Sequence, residues 1–394
     1  MDMLDLEATV ERLSAALPVG GRIAVADGAG FPHEAWPALV DLTARRPDLR
    51  LLIGWCIPTP ERIDELRAES ARTVISGFGL RRAIDAGRVG FLPVRLGAMP
   101  ALLAGPLRCD ALVTTLRPAG RGFAFATEVG WQRAVIATGA AIFAVLRANA
   151  PRTASGALLA LDRVEVLGES ARRPDELAAR APSQEQRDIG ARIAALVPDG
   201  ARLQVGPGGL GSAIFDGLTR PVAVDTGIVS DQVADLDARG LLESAPLAPY
   251  VVGTEHVYEW CADRVRVAGV EFTHDPSRLA HGRPLVAVNT GLEIDIAGQV
   301  NGEAVGGMAV GGVGGQPDFA AAAAASRGGL SVIAMTTHTT KGVPTLVRSL
   351  QMPATTPSHD VDIVVTERGS ADLRGLTRSE RTAALIKLWG GAPD

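Results

Sequence analysis

Short apolar runs punctuate the chain. Arg22–Ala26 (RIAVA), Leu51–Cys56 (LLIGWC) and Ala111–Thr115 (ALVTT) are each bounded by Gly, Pro or Asp, and stretches with helical spacing of apolar positions separate them. Uninterrupted apolar runs of this length suit strands buried on both faces. Their alternation with helical patterns predicts crossover helices and so an α/β architecture. The longest run, Ala134–Leu146, is closed by Arg133 and Arg147; its 13 residues are too few to span a bilayer and predict a buried element. Residues 168–188 are almost free of large apolar side chains and predict a linker, in part an exposed helix. The linker would separate an N-terminal α/β domain, 1–167, from a C-terminal one, 189–394, each large enough to bury its own core.

The segments flanking the linker echo each other. Residues 13–30 read LSAALPVGGRIAVADGAG and residues 193–210 read IAALVPDGARLQVGPGGL. At a constant shift of 180, Pro18 meets Pro198, Gly20 meets Gly200, Arg22 meets Arg202, Val25 meets Val205 and Gly28 meets Gly208. Helix, Pro-x-Gly turn, strand and glycine loop are used twice, which predicts two similar open α/β halves with a site in the cleft between them.

Composition narrows the class. The chain is 47% hydrophobic with a formal net charge of −5, so it is neither disordered nor a basic binder of nucleic acid or anionic membrane. Three dispersed cysteines imply neither a disulfide framework nor a zinc site, and the acidic, amphipathic start is unlike a signal peptide. A cytoplasmic protein is expected. Of 39 basic residues only Lys341 and Lys387 are lysine, which draws attention to Lys341 in a glycine-adjacent loop.

Glycine marks the candidate chemistry. After the apolar run RLQV comes Gly206-Pro-Gly208-Gly209-Leu-Gly211, and Asp225 follows nineteen residues after Gly206. Taken alone this is a dinucleotide fingerprint, with glycines admitting a ligand to a helix N-terminus and Asp225 placed for a ribose hydroxyl. The matching unit at 22–30 carries ADGAG instead, which weakens an NAD(P) oxidoreductase reading. Residues 298–315 hold eight glycines in eighteen positions before a six-alanine run. They predict either a β-rich segment with bulges or, preferred here, a loop whose N–H groups line a ligand channel.

Several of these stretches together resemble the acetyl-CoA hydrolase/transferase family, which includes 4-hydroxybutyrate CoA-transferases. They are Leu203-Gln-Val-Gly-Pro-Gly-Gly209, Asn289-Thr-Gly-Leu-Glu293-Ile-Asp295-Ile-Ala-Gly298-Gln-Val-Asn301, Gly311-Gly-Val-Gly-Gly-Gln-Pro-Asp318-Phe319 and the Asp360–Gly375 signature, with Pro151-Arg-Thr153 before the linker. The resemblance runs from about residue 12 to 388. It implies two related halves of the CoA-transferase type that bind an acyl-CoA, and a small carboxylic acid as acceptor. No cofactor is implied beyond the coenzyme A of the substrate, and a homo-oligomer, by default a dimer, is expected. In the resembling enzymes a glutamate attacks the thioester and carries CoA as a glutamyl thioester, a covalent route with a backbone oxyanion site.

That glutamate resembles the third residue of a His-Thr-Glu-x-x-Ser-Asp-Gly segment. Here the segment reads Asp225-Thr226-Gly227-Ile228-Val229-Ser230-Asp231-Gln232, so the nucleophile position is Gly227. Three outcomes stay open: other acyl-CoA chemistry such as hydrolysis, with Asp231 or Glu293 as base; a migrated carboxylate, with Asp225 nearest in sequence; or a non-catalytic relative that binds CoA esters or a partner. The expected CoA-binding positions are Gly206, Gly208, Gly209, Gly227, Gly311, Gly312, Gly314, Gly315 and Lys341. Each acid also has a structural alternative. Asp225 and Asp231 can cap a turn, Glu293 or Asp295 can be a paired buried acid, and Glu367 and Asp372 can pair with Arg368 and Arg374. No metal site is expected, since the histidines lack ligand spacing.

Overall fold

A computed structural model describes residues 4–393, which divide into two compact units. The first runs to Leu177 and takes back Ala248–Phe272; the second comprises Ala178–Leu247 and the chain from Thr273. No helix among the described residues is long and apolar enough to cross a membrane.

The first unit is built on seven parallel strands in the order Gly90–Phe91, Ala71–Thr73, Arg50–Ile53, Arg22–Val25, Ala111–Ala119, Ala141–Leu146, Val164–Glu169. Both faces are covered, as the apolar runs require. Ile23, Val25, Leu51, Ile53 and Val113 pack under the helices Leu6–Ala16 and Trp36–Arg45 with Leu13, Trp36 and Leu39. Ala24, Leu52 and Leu112 face the opposite way, into Met99, Leu103 and Trp131. The run Ala134–Leu146 is not one element. The helix Gln132–Ala137 ends at Gly139, whose φ of +87° turns the chain into the strand Ala141–Leu146.

The second unit carries five parallel strands in the order Ala223–Val224, Arg202–Val205, Leu285–Thr290, Leu330–Ala334, Ile363–Thr366, closed by antiparallel Gly369–Asp372. Of the stretch expected to include an exposed helix, residues 170–183 have no regular structure. The helix Gln184–Leu196 starts at its end, where Ser183 and Gln186 form a capping box. The six-alanine run lies in the helix Gln316–Ala325, whose Ala322 and Ala323 pack with Phe319 on Leu285 and Ala287.

The repeat read at a shift of 180 is structural. Gly20 and Gly200 turn into equivalent strands with φ of +73° and +71°, and Gly28 and Gly208 leave those strands with φ of +101° and +114°. In each sheet the strand so framed is where the order reverses: Arg22–Val25 lies against Ala111–Ala119, and Arg202–Val205 against Leu285–Thr290. In open α/β sheets ligands bind outside the carboxyl ends of strands at such reversals.

Candidate active site

In the second unit the loop Gly206–Gly211 leaves the strand Arg202–Val205 and opens the nine-residue helix Gly209–Gly217. A Cβ at Gly211 would lie 2.2 Å from the Gly206 carbonyl oxygen, so the turn needs glycine there. At Gly206 and Gly208 a Cβ would meet no described atom within 4 Å, which leaves the loop's outer face open. Beside it, the Thr226 hydroxyl donates to the Val205 carbonyl at 2.9 Å and ties the Asp225–Gly227 turn to the end of that strand.

Asp225 is 4% exposed and doubly clamped. Its Oδ2 accepts from Arg202 Nη1 at 3.1 Å and Arg278 Nη1 at 2.7 Å, and its Oδ1 accepts from Arg278 Nη2 at 3.0 Å. A carboxylate so held is an anchor for the turn. Gly227, partly exposed, has ordinary backbone geometry, and a Cβ there would meet no described atom within 4 Å. Asp231 is the first residue of the helix Asp231–Ala238.

The other side of the strand reversal is formed by the chain leaving Leu285–Thr290. Asn289 follows Val288, the partner of Val205, and its buried Nδ2 has no hydrogen-bond partner among the described residues; neither has Gln204 Oε1 on the neighbouring strand. Unsatisfied buried amides at the carboxyl edge of a sheet are polar groups left for a ligand or water. The segment beyond them, glycine-rich from Gly298, is a pair of short hairpins followed by a loop. Glu293–Asp295 pairs with Val300–Asn301, Ala304–Val305 pairs with Met308–Ala309, and Gly311–Gly315 runs into the helix Gln316–Ala325. Asp295 is spent on the first turn, accepting from the Ala297 and Gln299 amides. Glu293, partly buried, is met by Asn301 Nδ2 at 3.4 Å. Burial raises the pKa of Glu303 against the Thr355 hydroxyl that donates to it.

A cavity of about 480 Å³ opens beyond Leu330–Ala334 and Ile363–Thr366, lined by Thr336–Thr340, Glu367 and Gln186 among others. Glu367 accepts from the Thr337 amide at 3.0 Å and from the Thr337 hydroxyl, with Arg368 Nε 3.9 Å away. Asp372 does pair with Arg374, at 2.6 Å. Lys341 is exposed in the loop that continues from Thr340. The expected glycines thus gather in two groups, Gly206–Gly209 with Gly227, and Gly311–Gly315, while Lys341 belongs to the loop beside the cavity.

The first unit's strand reversal holds what sequence reasoning missed. Asp27, Glu128 and Tyr250 are all buried there, and the Tyr250 hydroxyl donates to Asp27. Glu128 Oε2 accepts from Thr127 Oγ1 at 2.5 Å and from the Gly30 amide at 3.0 Å. Burial pushes both carboxyls up to about 7, with Glu128 also raising Asp27 through charge. Glycines make the room: a Cβ at Gly30 would lie 2.1 Å from Glu128 Oε1, at Gly54 2.2 Å from Asp27 Cβ, and at Gly130 2.5 Å from Asp27 Oδ1. The signal available was an acid at the end of the run Arg22–Ala26. This reversal is filled by the unit's own side chains, whereas the second unit's is lined by open glycines and unpaired amides.

Fold and loops together define an open-sheet α/β protein of the CoA-transferase type. The acetyl-CoA hydrolase/transferase C-terminal domain model matches residues 253–389. A succinyl-CoA:acetate/propanoyl-CoA:succinate CoA transferase of Fasciola hepatica is 31% identical over 337 residues, covering 80% of this chain and 70% of that protein. The 4-hydroxybutyrate coenzyme A transferase of Clostridium kluyveri is 27% identical over 326 residues, 78% of this chain and 76% of that one. The crystal structure of RipA from Yersinia pestis superposes with a TM-score of 0.87 at 26% identity, covering 99% of this chain and 97% of that chain. The chain belongs to the acetyl-CoA hydrolase/transferase family.

Proposed function

We propose that the protein acts on an acyl-CoA thioester without a glutamyl-CoA intermediate, by hydrolysis or related acyl-CoA chemistry. The observation that carries this reading is Gly227, which brings no carboxylate to the turn beside the Gly206–Gly211 loop. The nearest acid in sequence, Asp225, has both oxygens engaged by arginines and is in no position to replace it. The same clamp speaks against a dinucleotide, whose ribose hydroxyl would have to displace an arginine from Asp225. The space beside Gly227 suits a water or a bulkier acyl group.

In the hydrolytic version, backbone N–H groups of the glycine loops polarise the thioester carbonyl. Glu293 or Asp231 takes a proton from water as its oxygen bonds to the carbonyl carbon; the C–S bond then breaks and the thiolate leaves with a proton. The reading needs no cofactor beyond the coenzyme A of the substrate. Its test combines acetyl-CoA with labelled acetate. Wild type is expected to release free thiol, to exchange no acyl group and to yield no borohydride-trapped glutamyl thioester. Gly227→Glu, which places a carboxylate in open space, is expected to raise exchange about tenfold or more, only ~1.4 kcal/mol off a barrier. Rapid exchange by wild type would overturn the reading, and CoA binding without thiol release would favour the non-catalytic alternative.

A further inference from the structure

The two glycine groups of the second unit are joined by one short segment, Thr273–Arg278. At one end Arg278 clamps Asp225, two residues before Gly227, and also donates to the Thr273 carbonyl at 2.9 Å. At the other end His274 is fully buried, edge-on to Phe319 with ring centroids 4.9 Å apart. A Cβ at Gly315 would fall 2.3 Å from His274 Nε2, so the imidazole lies directly against the last glycine of the loop. Burial, assisted by Arg278, lowers its pKa to about 3 and keeps the ring neutral. Nδ1 is shared with the Thr273 hydroxyl at 2.9 Å, whereas Nε2 has no hydrogen-bond partner among the described residues. A buried ring nitrogen without a partner costs free energy unless a second state supplies one.

We propose that His274 is a positioning residue for the Gly311–Gly315 loop: when an acyl-CoA occupies the loop, Nε2 takes its backbone as hydrogen-bond partner and fixes the N–H groups turned to the thioester. This rests on the acyl-CoA reading above. The glycine at 315 is what lets the ring reach the backbone, and Arg278 on the same segment holds the Gly227 turn, so ligand contact at one loop is felt at the other.

The experiment uses the full chain and coenzyme A as probe. In wild type with ¹⁵N-histidine, CoA is expected to shift the His274 Nε2 resonance and to protect the 311–315 amides from exchange. His274→Leu is expected to weaken CoA binding about tenfold, within the reach of one lost hydrogen bond, beyond any fall in Tm that follows from losing the Nδ1 contact with Thr273. His274→Asn, which keeps a polar group, should stay within about threefold of wild type. CoA binding that leaves both the Nε2 resonance and the His274→Leu affinity unchanged overturns the proposal alone, as does a His274→Leu loss confined to Tm. Wild type that binds no CoA overturns the acyl-CoA reading and this proposal together. Should His274→Leu fail to fold, the wild-type resonance decides.

Discussion

Arg278→Met is expected to destabilise the protein by about 3 kcal/mol, the low end of the range for breaking a buried ion pair from one side. Asp225 is 4% exposed and receives three arginine hydrogen bonds, two of them from Arg278. Methionine retains much of the stem's packing but leaves the carboxylate with the single contact from Arg202. Asp225→Asn combined with Arg278→Met removes the uncompensated charge and should recover at least half of the loss. Urea melts of the wild type, the single variant and the double variant measure this. A single-variant loss under about 0.5 kcal/mol, the level of an ordinary surface substitution, would show that the clamp carries no load. Because Asp225 leads into Thr226–Gly227, the same variant should weaken CoA binding, linking the anchor to the loop it holds.

That clamp also shows where sequence reasoning stops. The strands were legible because burial on both faces demands apolar runs such as RIAV and RLLI, and the repeat because two equivalent turns need glycine in the same left-handed geometry at Gly20 and Gly200. The glycine loops were legible as loops, and their number and order carried the family. The role of Asp225 was not, since its partners lie 23 and 53 residues away on other elements, and nineteen-residue spacing from Gly206 mimics a ribose-binding acid. His274 looked inert for a related reason: one imidazole without ligand spacing gives no pattern, and only burial against Gly315 singles it out. The return of Ala248–Phe272 to the first unit carries no compositional mark either, although it brings Tyr250 to Asp27.

The buried acids Asp27 and Glu128 are expected to make stability fall as pH rises. Both fold into sites that favour the protonated form, with pKa values about 7 in place of the usual carboxylate range near 4. The folded state therefore holds protons that the unfolded chain releases. The stabilising contribution is complete below about pH 4, declines as pH rises toward 7, and is gone above it. For one carboxyl the change between pH 5 and 8 is on the order of 3 kcal/mol. The groups facing the pair set its direction. Tyr250 donates to Asp27; Thr127 and the Gly30 amide donate to Glu128; Arg147 draws Glu128 down and Asp175 pushes it up. Asn at position 27 still accepts from Tyr250 and carries no charge at any pH. Asp27→Asn should therefore flatten the profile and overtake wild type near pH 8, with Glu128→Gln acting in the same direction. Urea melts across this range, read as variant minus wild type, cancel the contribution of every other titrating group. Parallel profiles for all three proteins would mean that the acids are not protonated in the fold, and that the glycines at 30, 54 and 130 make room for two buried charges instead.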